Sequence, residues 1–241
     1  IYNENRGDFM KKAIKWIVLV IILIIAIGIG IFVVKDMKQE DTLREEMLAF
    51  ENLTRAETID VEQIEQRIRE LKTTGDYGIV EKAVKEYLAD GVNASIEVAD
   101  ILNDERLVNI LTPENYKEDG PEFVQTKQFL QEAKEKVETN KAKLVELLSE
   151  EKVMSYIEGK NIDQYYIDLY KELALAAESS TEEDKQEVET AMNEVTQMLE
   201  IQTQIINFLA ENKQNWEIQD DTIVFNSQAL QNQYNDYINQ L

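Results

Sequence analysis

The chain has 241 residues, with 25 Lys and Arg against 48 Asp and Glu and neither His nor Cys. The two missing residue types exclude disulfides, thiolate nucleophiles, an imidazole general base, the usual zinc ligands and a lipid-bearing cysteine. Residues 1–34 hold four basic side chains (Arg6, Lys11, Lys12, Lys15) and two acidic ones (Glu4, Asp8), which leaves 21 against 46, a net of −25, on residues 35–241; such a surface repels phosphate backbones and anionic headgroups, so no nucleic-acid partner is expected.

The chain opens IYNENRGDF before its first methionine, Met10. Arg6-Gly7-Asp8 reads as an adhesion tripeptide, but one back-translation, AGA-GGA-GAT, contains AGGAG, the core of a bacterial ribosome-binding site at a workable distance from the Met10 codon. Residues 1–9 are therefore expected to be untranslated leader or a short cytoplasmic tail. The source is then bacterial, and the Asn-x-Ser/Thr sequons at Asn52 and Asn93 are chance. From Met10 the chain begins MKKAIKWIV, a basic head (10–15) followed by an apolar run.

That run, Trp16 to Val34, has nineteen residues and no polar or charged side chain. A helix needs roughly 20 such residues to cross the hydrocarbon layer. A cleaved signal peptide has an apolar core of about 7–15 residues ahead of a small-x-small site. Here the two small-x-small triplets, Ala26-Ile27-Gly28 and Gly28-Ile29-Gly30, lie inside the run, so an uncleaved signal-anchor over 16–34 is expected. Lys11, Lys12 and Lys15 crowd its N-terminal flank, whereas Lys35 and Lys38 are diluted by Asp36, Glu40 and Asp41. Positive residues stay cytoplasmic, which puts the N-terminus in, the C-terminus out and Trp16 at the inner interface. The Gly-Phe processing site and leading Glu of a type IV pilin are absent. Ala26 and Gly30 form a small-xxx-small pair, the candidate contact if two spans associate; lipid-facing small residues are the plainer reading.

A charged stalk (35–41) is expected to lead into an acidic extracytoplasmic helical domain over 42–241, with a sub-boundary near 112–121. Thr42 followed by Glu45 reads as a capping box opening a helix striped by Leu43, Met47, Phe50 and Leu53. Asp60 caps VEQIEQRIRELK, striped by Ile64, Ile68 and Leu71. Thr73-Thr74-Gly75-Asp76 is a break. A longer helix follows through Ile79, Val80, Ala83, Val84, Tyr87 and Leu88, with Gly91 as a kink or end. Asn103-Asp104 and Thr112-Pro113 start short helices, and Asp119-Gly120-Pro121 is the firmest boundary.

From Pro121 to about Ser149 one long helix is expected. Phe123, Leu130, Val137 and Leu144 recur every seven residues, with Thr126, Ala133, Asn140 and Leu147 between them, a heptad seam suited to a close neighbour in the same domain. A second long helix, about 182–212, is capped by Ser180 or Thr181. Val188, Met192, Val195, Leu199, Gln202, Ile206 and Leu209 mark its face, and Met198, Ile201, Ile205 and Phe208 widen the second half. Each is roughly 45 Å long at 1.5 Å per residue, and the two are expected to pack antiparallel. Two shorter helices lie between, the first stopped by Gly159. In NWEIQDDTIVF the period shifts to a short β-hairpin anchored by Trp216. A last helix carries Leu230, Tyr234, Tyr237, Ile238 and Leu241. The fold class is thus mainly α, an extracytoplasmic helical bundle with a small C-terminal hairpin behind one transmembrane helix.

No catalytic, cofactor or metal motif stands out. The acidic triplets at 103–105 and 220–222 lack the spacing of a calcium loop, and there is neither a phosphate loop nor a nucleophile elbow; an enzyme is not expected. Tyr156, Tyr165, Tyr166 and Tyr170 fall in the connection between the long helices. Tyr165, Tyr166 and Tyr170, with Trp216, are the candidate partner-binding aromatics, against the plainer reading that their rings fill the end of the bundle. Membrane anchoring is assigned to Lys11, Lys12, Lys15, Trp16 and Val34. Two functional readings follow. One is a membrane-anchored binding or scaffold protein of the bacterial envelope, with membrane lipid and another envelope protein as partners. The other is a ligand-sensing or transport-accessory bundle that acts through a partner membrane protein, with self-association through the span.

Overall fold

This computed structural model describes residues 37–54, 60–175 and 182–241. They are mainly helical, with one small two-stranded antiparallel sheet. In chain order the helices are α1 (Met37–Thr54), α2 (Val61–Arg69), α3 (Gly75–Asn103), α4 (Glu105–Asn109), α5 (Pro113–Glu118), α6 (Val124–Leu147), α7 (Glu150–Ser155), α8 (Gln164–Leu175) and α9 (Glu182–Glu211). Strands β1 (Trp216–Gln219) and β2 (Thr222–Phe225) and helix α10 (Gln228–Ile238) follow. The apolar run 16–34, with Trp16, Ala26, Gly30 and Val34, and the lysines ahead of it, Lys11, Lys12 and Lys15, lie outside the described residues, as do Ser180 and Thr181. Among the described residues no helix is long and apolar enough to cross a membrane.

The chain divides into two compact units. One takes the described residues up to Ile96 together with Asn140–Thr190; the other takes Glu97–Thr139 and Ala191–Leu241. The division falls inside α3, α6 and α9.

In the first unit, α1 begins earlier than the capping-box signal suggests. Residues 37–41, expected as part of a stalk, belong to the helix, and Glu40 is buried. Thr42 is a mid-helix residue whose hydroxyl donates to the Lys38 carbonyl, 2.9 Å away. With a helical turn already built ahead of it, its Oγ finds an acceptor at i−4 and caps no backbone N–H. Of the expected α1 stripe Leu43, Met47 and Phe50 are buried, and Leu53 is half-buried. Asp60 caps α2 by accepting from the Gln63 N–H at 3.0 Å. Ile64 is buried, but Leu71 is 49% exposed. The helix stops at Arg69, so Leu71 never reaches the face that the 3.6-residue spacing assigned to it. Helix α3 runs unbroken through Gly91 for 29 residues, where a kink or end was expected. The Ser95 hydroxyl donates back to the Gly91 carbonyl at 2.9 Å, and Val92, Ala94 and Val98 carry the buried face on. Gly159, at φ 71°, ends the turn after α7 in the left-handed conformation that glycine reaches most easily.

In the second unit, Asp104 and Thr112 cap α4 and α5, with Pro113 in the first turn of α5. Helix α6 starts three residues later than expected, because Phe123 takes φ 54° ahead of it. The Asp119 carboxylate then accepts from the Gln125 and Thr126 N–H groups at 3.2 and 2.7 Å, which satisfies two of the donors that a helix start leaves open. The seam residues Phe123, Thr126, Leu130, Ala133 and Val137 are buried here, as are Asn140, Leu144 and Leu147 where the helix runs on in the first unit; every expected face residue of α9 is buried too, Val188 in the first unit and the rest in the second. Within this unit Lys134 reaches Glu200 at 3.2 Å and the Thr196 hydroxyl donates to Glu138 at 2.8 Å, so α6 and α9 pass there in opposite directions.

The hairpin pairs Trp216 with Phe225 and Gln219 with Thr222. Its turn residues Asp220 and Asp221 both take positive φ, 46° and 56°, the handedness that matches the strand twist. Trp216 donates from Nε1 to the Leu209 carbonyl at 2.8 Å and meets the rings of Tyr116 and Phe123. Phe225 packs at a tilt against Phe208 and Tyr234, and the Tyr116 and Tyr234 hydroxyls lie 3.0 Å apart.

Candidate functional site

The most concentrated chemistry lies in the first unit, where α1, α3 and α8 meet. Tyr77 is in the first turn of α3, and Tyr165 and Tyr166 are in the first turn of α8. The Tyr77 and Tyr166 rings meet edge-on, centroids 5.0 Å apart, and Tyr165 and Tyr166 do the same at 5.1 Å. Edge-to-face contacts of this kind add to the area that the rings bury. Tyr165 stays 45% exposed, and Tyr77 and Tyr166 are half-buried. The Tyr165 hydroxyl donates to Glu40 Oε2 at 2.8 Å, and Arg44 holds the other oxygen of that carboxylate, also at 2.8 Å. Gln39 Oε1 accepts from the Thr74 N–H and hydroxyl at 2.8 and 3.1 Å. The first turns of α1 are thereby tied to the starts of both other helices. Burial, then Glu40 and Tyr77, keeps the Tyr165 hydroxyl protonated well above the ordinary phenol range.

One turn further along α3 is a buried charge network. Lys85 and Glu81 are shut off from solvent and paired at 2.7 Å. Lys85 also reaches Glu46 of α1 at 3.0 Å and the Glu70 carbonyl at 2.5 Å. Arg67 of α2 holds the other Glu46 oxygen at 2.8 Å. Glu81 accepts from the backbone of Lys72 and Thr73 and from the Thr73 hydroxyl, all within 2.9 Å. Two cations thus balance two anions, and every charge is hydrogen-bonded, the condition under which buried charges are tolerated. Burial alone would raise the Glu81 carboxyl, but Lys85, Thr73 and the Lys72 and Thr73 N–H groups outweigh it and hold the group below its ordinary value of 4.5.

The four candidate aromatics are not brought together. Tyr165 and Tyr166 share the cluster above. Tyr170, one turn along the same helix, has no exposed surface, and its hydroxyl donates to the Val153 carbonyl at 2.6 Å. Trp216 belongs to the other unit, in its ring cluster. Tyr156 donates to Asp90 at 2.5 Å and packs edge-on against Tyr87. The acidic triplets serve local structure. Asp104 caps α4 and pairs with Arg106 at 2.7 Å, and Asp221 pairs with Lys117 at 2.6 Å beside the hairpin turn.

In the second unit a cleft of about 590 Å³ is lined by the α4–α6 segment. Glu105, Glu114, Glu118 and Asp119 make its rim acidic, and the Arg106 guanidinium covers the Phe129 ring 4.2 Å from its centroid. Among the described residues no group of three or more acidic side chains stands placed to hold a metal ion.

Sequence reasoning missed Tyr77 as a partner of Tyr165 and Tyr166, and it missed Glu46, Glu81 and Lys85. The signal for the last two was present: Glu81 and Lys85, four residues apart, sit among the apolar Val80, Ala83, Val84 and Leu88. No family model, no curated protein and no solved structure matches the chain.

Proposed function

We propose that the chain is a membrane-anchored helical binding or scaffold protein of a bacterial cell envelope. A single transmembrane helix at 16–34, with its N-terminus cytoplasmic, holds an extracytoplasmic bundle whose long helices α6 and α9 run antiparallel. The observation that carries the reading is the nineteen-residue run Trp16–Val34, free of polar side chains and preceded by Lys11, Lys12 and Lys15. The start of the body supports it. Helix α1 is under way at Met37, three residues after the run ends, and its first turn is already bonded into the bundle through Gln39 and Glu40. A body fixed that closely is held at the membrane surface, where a partner embedded in or lying on the same membrane meets it at high effective concentration. The net charge of −25 on residues 35–241 favours a partner with a basic contact surface. Tyr170 and Trp216 act in this reading as packing anchors.

Crosslinking in intact cells, followed by identification of what is captured with the chain, tests the proposal. Reproducible capture of one envelope protein is expected; recovery of nothing but the chain itself sinks the scaffold reading.

A further inference from the structure

We infer that Tyr77, Tyr165 and Tyr166 form a docking surface for the lipid headgroup layer, which seats the first unit on the outer face of the bilayer. The inference rests on the membrane-anchored reading and adds to it a fixed contact between body and lipid.

Chain length brings the cluster to the membrane. From Val34 to Met37 the chain spans at most about 11 Å, even fully extended. From Met37 to Glu40 the helix adds about 4.5 Å. Glu40 therefore lies within about 15 Å of the residue that closes the apolar run, and the Tyr165 hydroxyl is 2.8 Å from the Glu40 carboxylate. The headgroup layer occupies roughly 5–7 Å on each side of the hydrocarbon. A cluster tethered this closely is in reach of that layer.

Its chemistry suits the place. Tyrosine concentrates at membrane interfaces because its ring is apolar and its hydroxyl is not. Three such rings are grouped here, with Tyr165 left 45% exposed, so the cluster keeps an apolar face with polar hydroxyls open to its surroundings. The carboxylate to which Tyr165 donates is covered: Glu40 is buried and answered by Arg44. Lys38, exposed two residues before Glu40, supplies a cation for lipid phosphate. Asp41, Asp76 and Asp163 flank the cluster in sequence, so the surface fits a zwitterionic headgroup better than an anionic one.

The absence of native cysteine allows the contact to be measured on the full chain. Gln164→Cys, beside Tyr165, and Leu48→Cys, exposed two turns beyond Glu40 on α1, each carry a nitroxide label in phosphatidylcholine vesicles. Accessibility to oxygen, which partitions into lipid, is compared with accessibility to an aqueous nickel chelate. The oxygen-to-nickel ratio is expected to be higher at 164 than at 48. It should fall to the level at 48 when Tyr77, Tyr165 and Tyr166 are all changed to Ser in a chain that keeps its helical circular dichroism. If the chain floats with the vesicles but the two positions give the same ratio, docking is overturned and the anchor stands. If the chain does not float at all, the anchor reading falls and docking with it.

Discussion

Lys85 is the residue whose loss should be felt most in the first unit. It touches Glu81, Glu46 and the Glu70 carbonyl inside a region closed to solvent. Replacing it with Met leaves two carboxylates buried with less than their balancing charge, and breaking a buried pair from one side costs about 3–5 kcal/mol. Urea unfolding of the full chain in mild detergent, followed by circular dichroism, should show a loss of unfolding free energy of that size, the midpoint shift multiplied by the denaturant slope. A shift near zero would mean that the network is open to water. Glu81 adds a pH dependence. Its folded-state carboxyl lies below the ordinary 4.5, so its contribution is complete above that value and is lost as the pH falls through the lowered one. The unfolding midpoints of the parent and of Glu81→Gln should therefore differ most above pH 4.5 and converge in more acid solution; a gap independent of pH would exclude this role. The sequence carried half of this: Glu81 and Lys85 sit among the apolar Val80, Ala83, Val84 and Leu88, but the network itself was not legible. Glu81 and Lys85 are spaced like any solvated pair on a helix surface, and only the fold brings in Glu46, which is 39 residues away from Lys85. The apolar neighbours of such pairs are legible: Val80, Ala83, Val84 and Leu88 all lie on the buried face.

The elements whose pattern is longest were read best. Along α6 and α9 the spacing alone identifies the buried residues, because a long helix repeats its periodic signal over many turns. Ends were read less well. The start of α1 was placed at Thr42 because the capping-box pattern is local, whereas a helix that already extends upstream makes the same residues interior. The hairpin was legible because two adjacent aspartates between alternating apolar residues leave few alternatives. Two glycines separate the reasons a helix boundary can depend on its residue. Gly159 has φ 71° and open space around a would-be Cβ, so Gly159→Ala should cost only the left-handed penalty, about 1–2 kcal/mol. At Gly120 an added Cβ would run into the backbone carbonyl of Tyr116 and crowd the Phe123 ring. Gly120→Ala should cost clearly more, because the Tyr116–Phe123–Trp216 cluster must open to admit it. Paired urea titrations settle the order; a larger loss at Gly159 would show that backbone strain outweighs the clash.

For the whole molecule, composition separates an apolar run from an acidic helical body, and that contrast needs no tertiary information. The division of the described residues into two units has no such signature. It falls within α3, α6 and α9, where continuous helix leaves no turn residues to mark it. In the membrane-anchored reading, orientation belongs at this scale, because the few charges beside the run would set it and not the body. Three lysines precede the run, whereas the two that follow are offset by Asp36, Glu40 and Asp41. In that reading the segment ahead of the run should remain in the cytoplasm and the body be exported. Protease added to intact cells, once the outer layers are made permeable, should degrade the body in the parent chain. Changing Lys11, Lys12 and Lys15 together to Glu removes the retained charge and leaves Lys35 and Lys38 as the nearest cations. A fraction of the chains should then insert the other way and become protected, while the total amount in the membrane changes little, since the apolar run is untouched. Protection of the body in the unmutated chain would reverse the orientation. Loss of the triple variant from the membrane would show that the lysines, and not the run, hold the chain there.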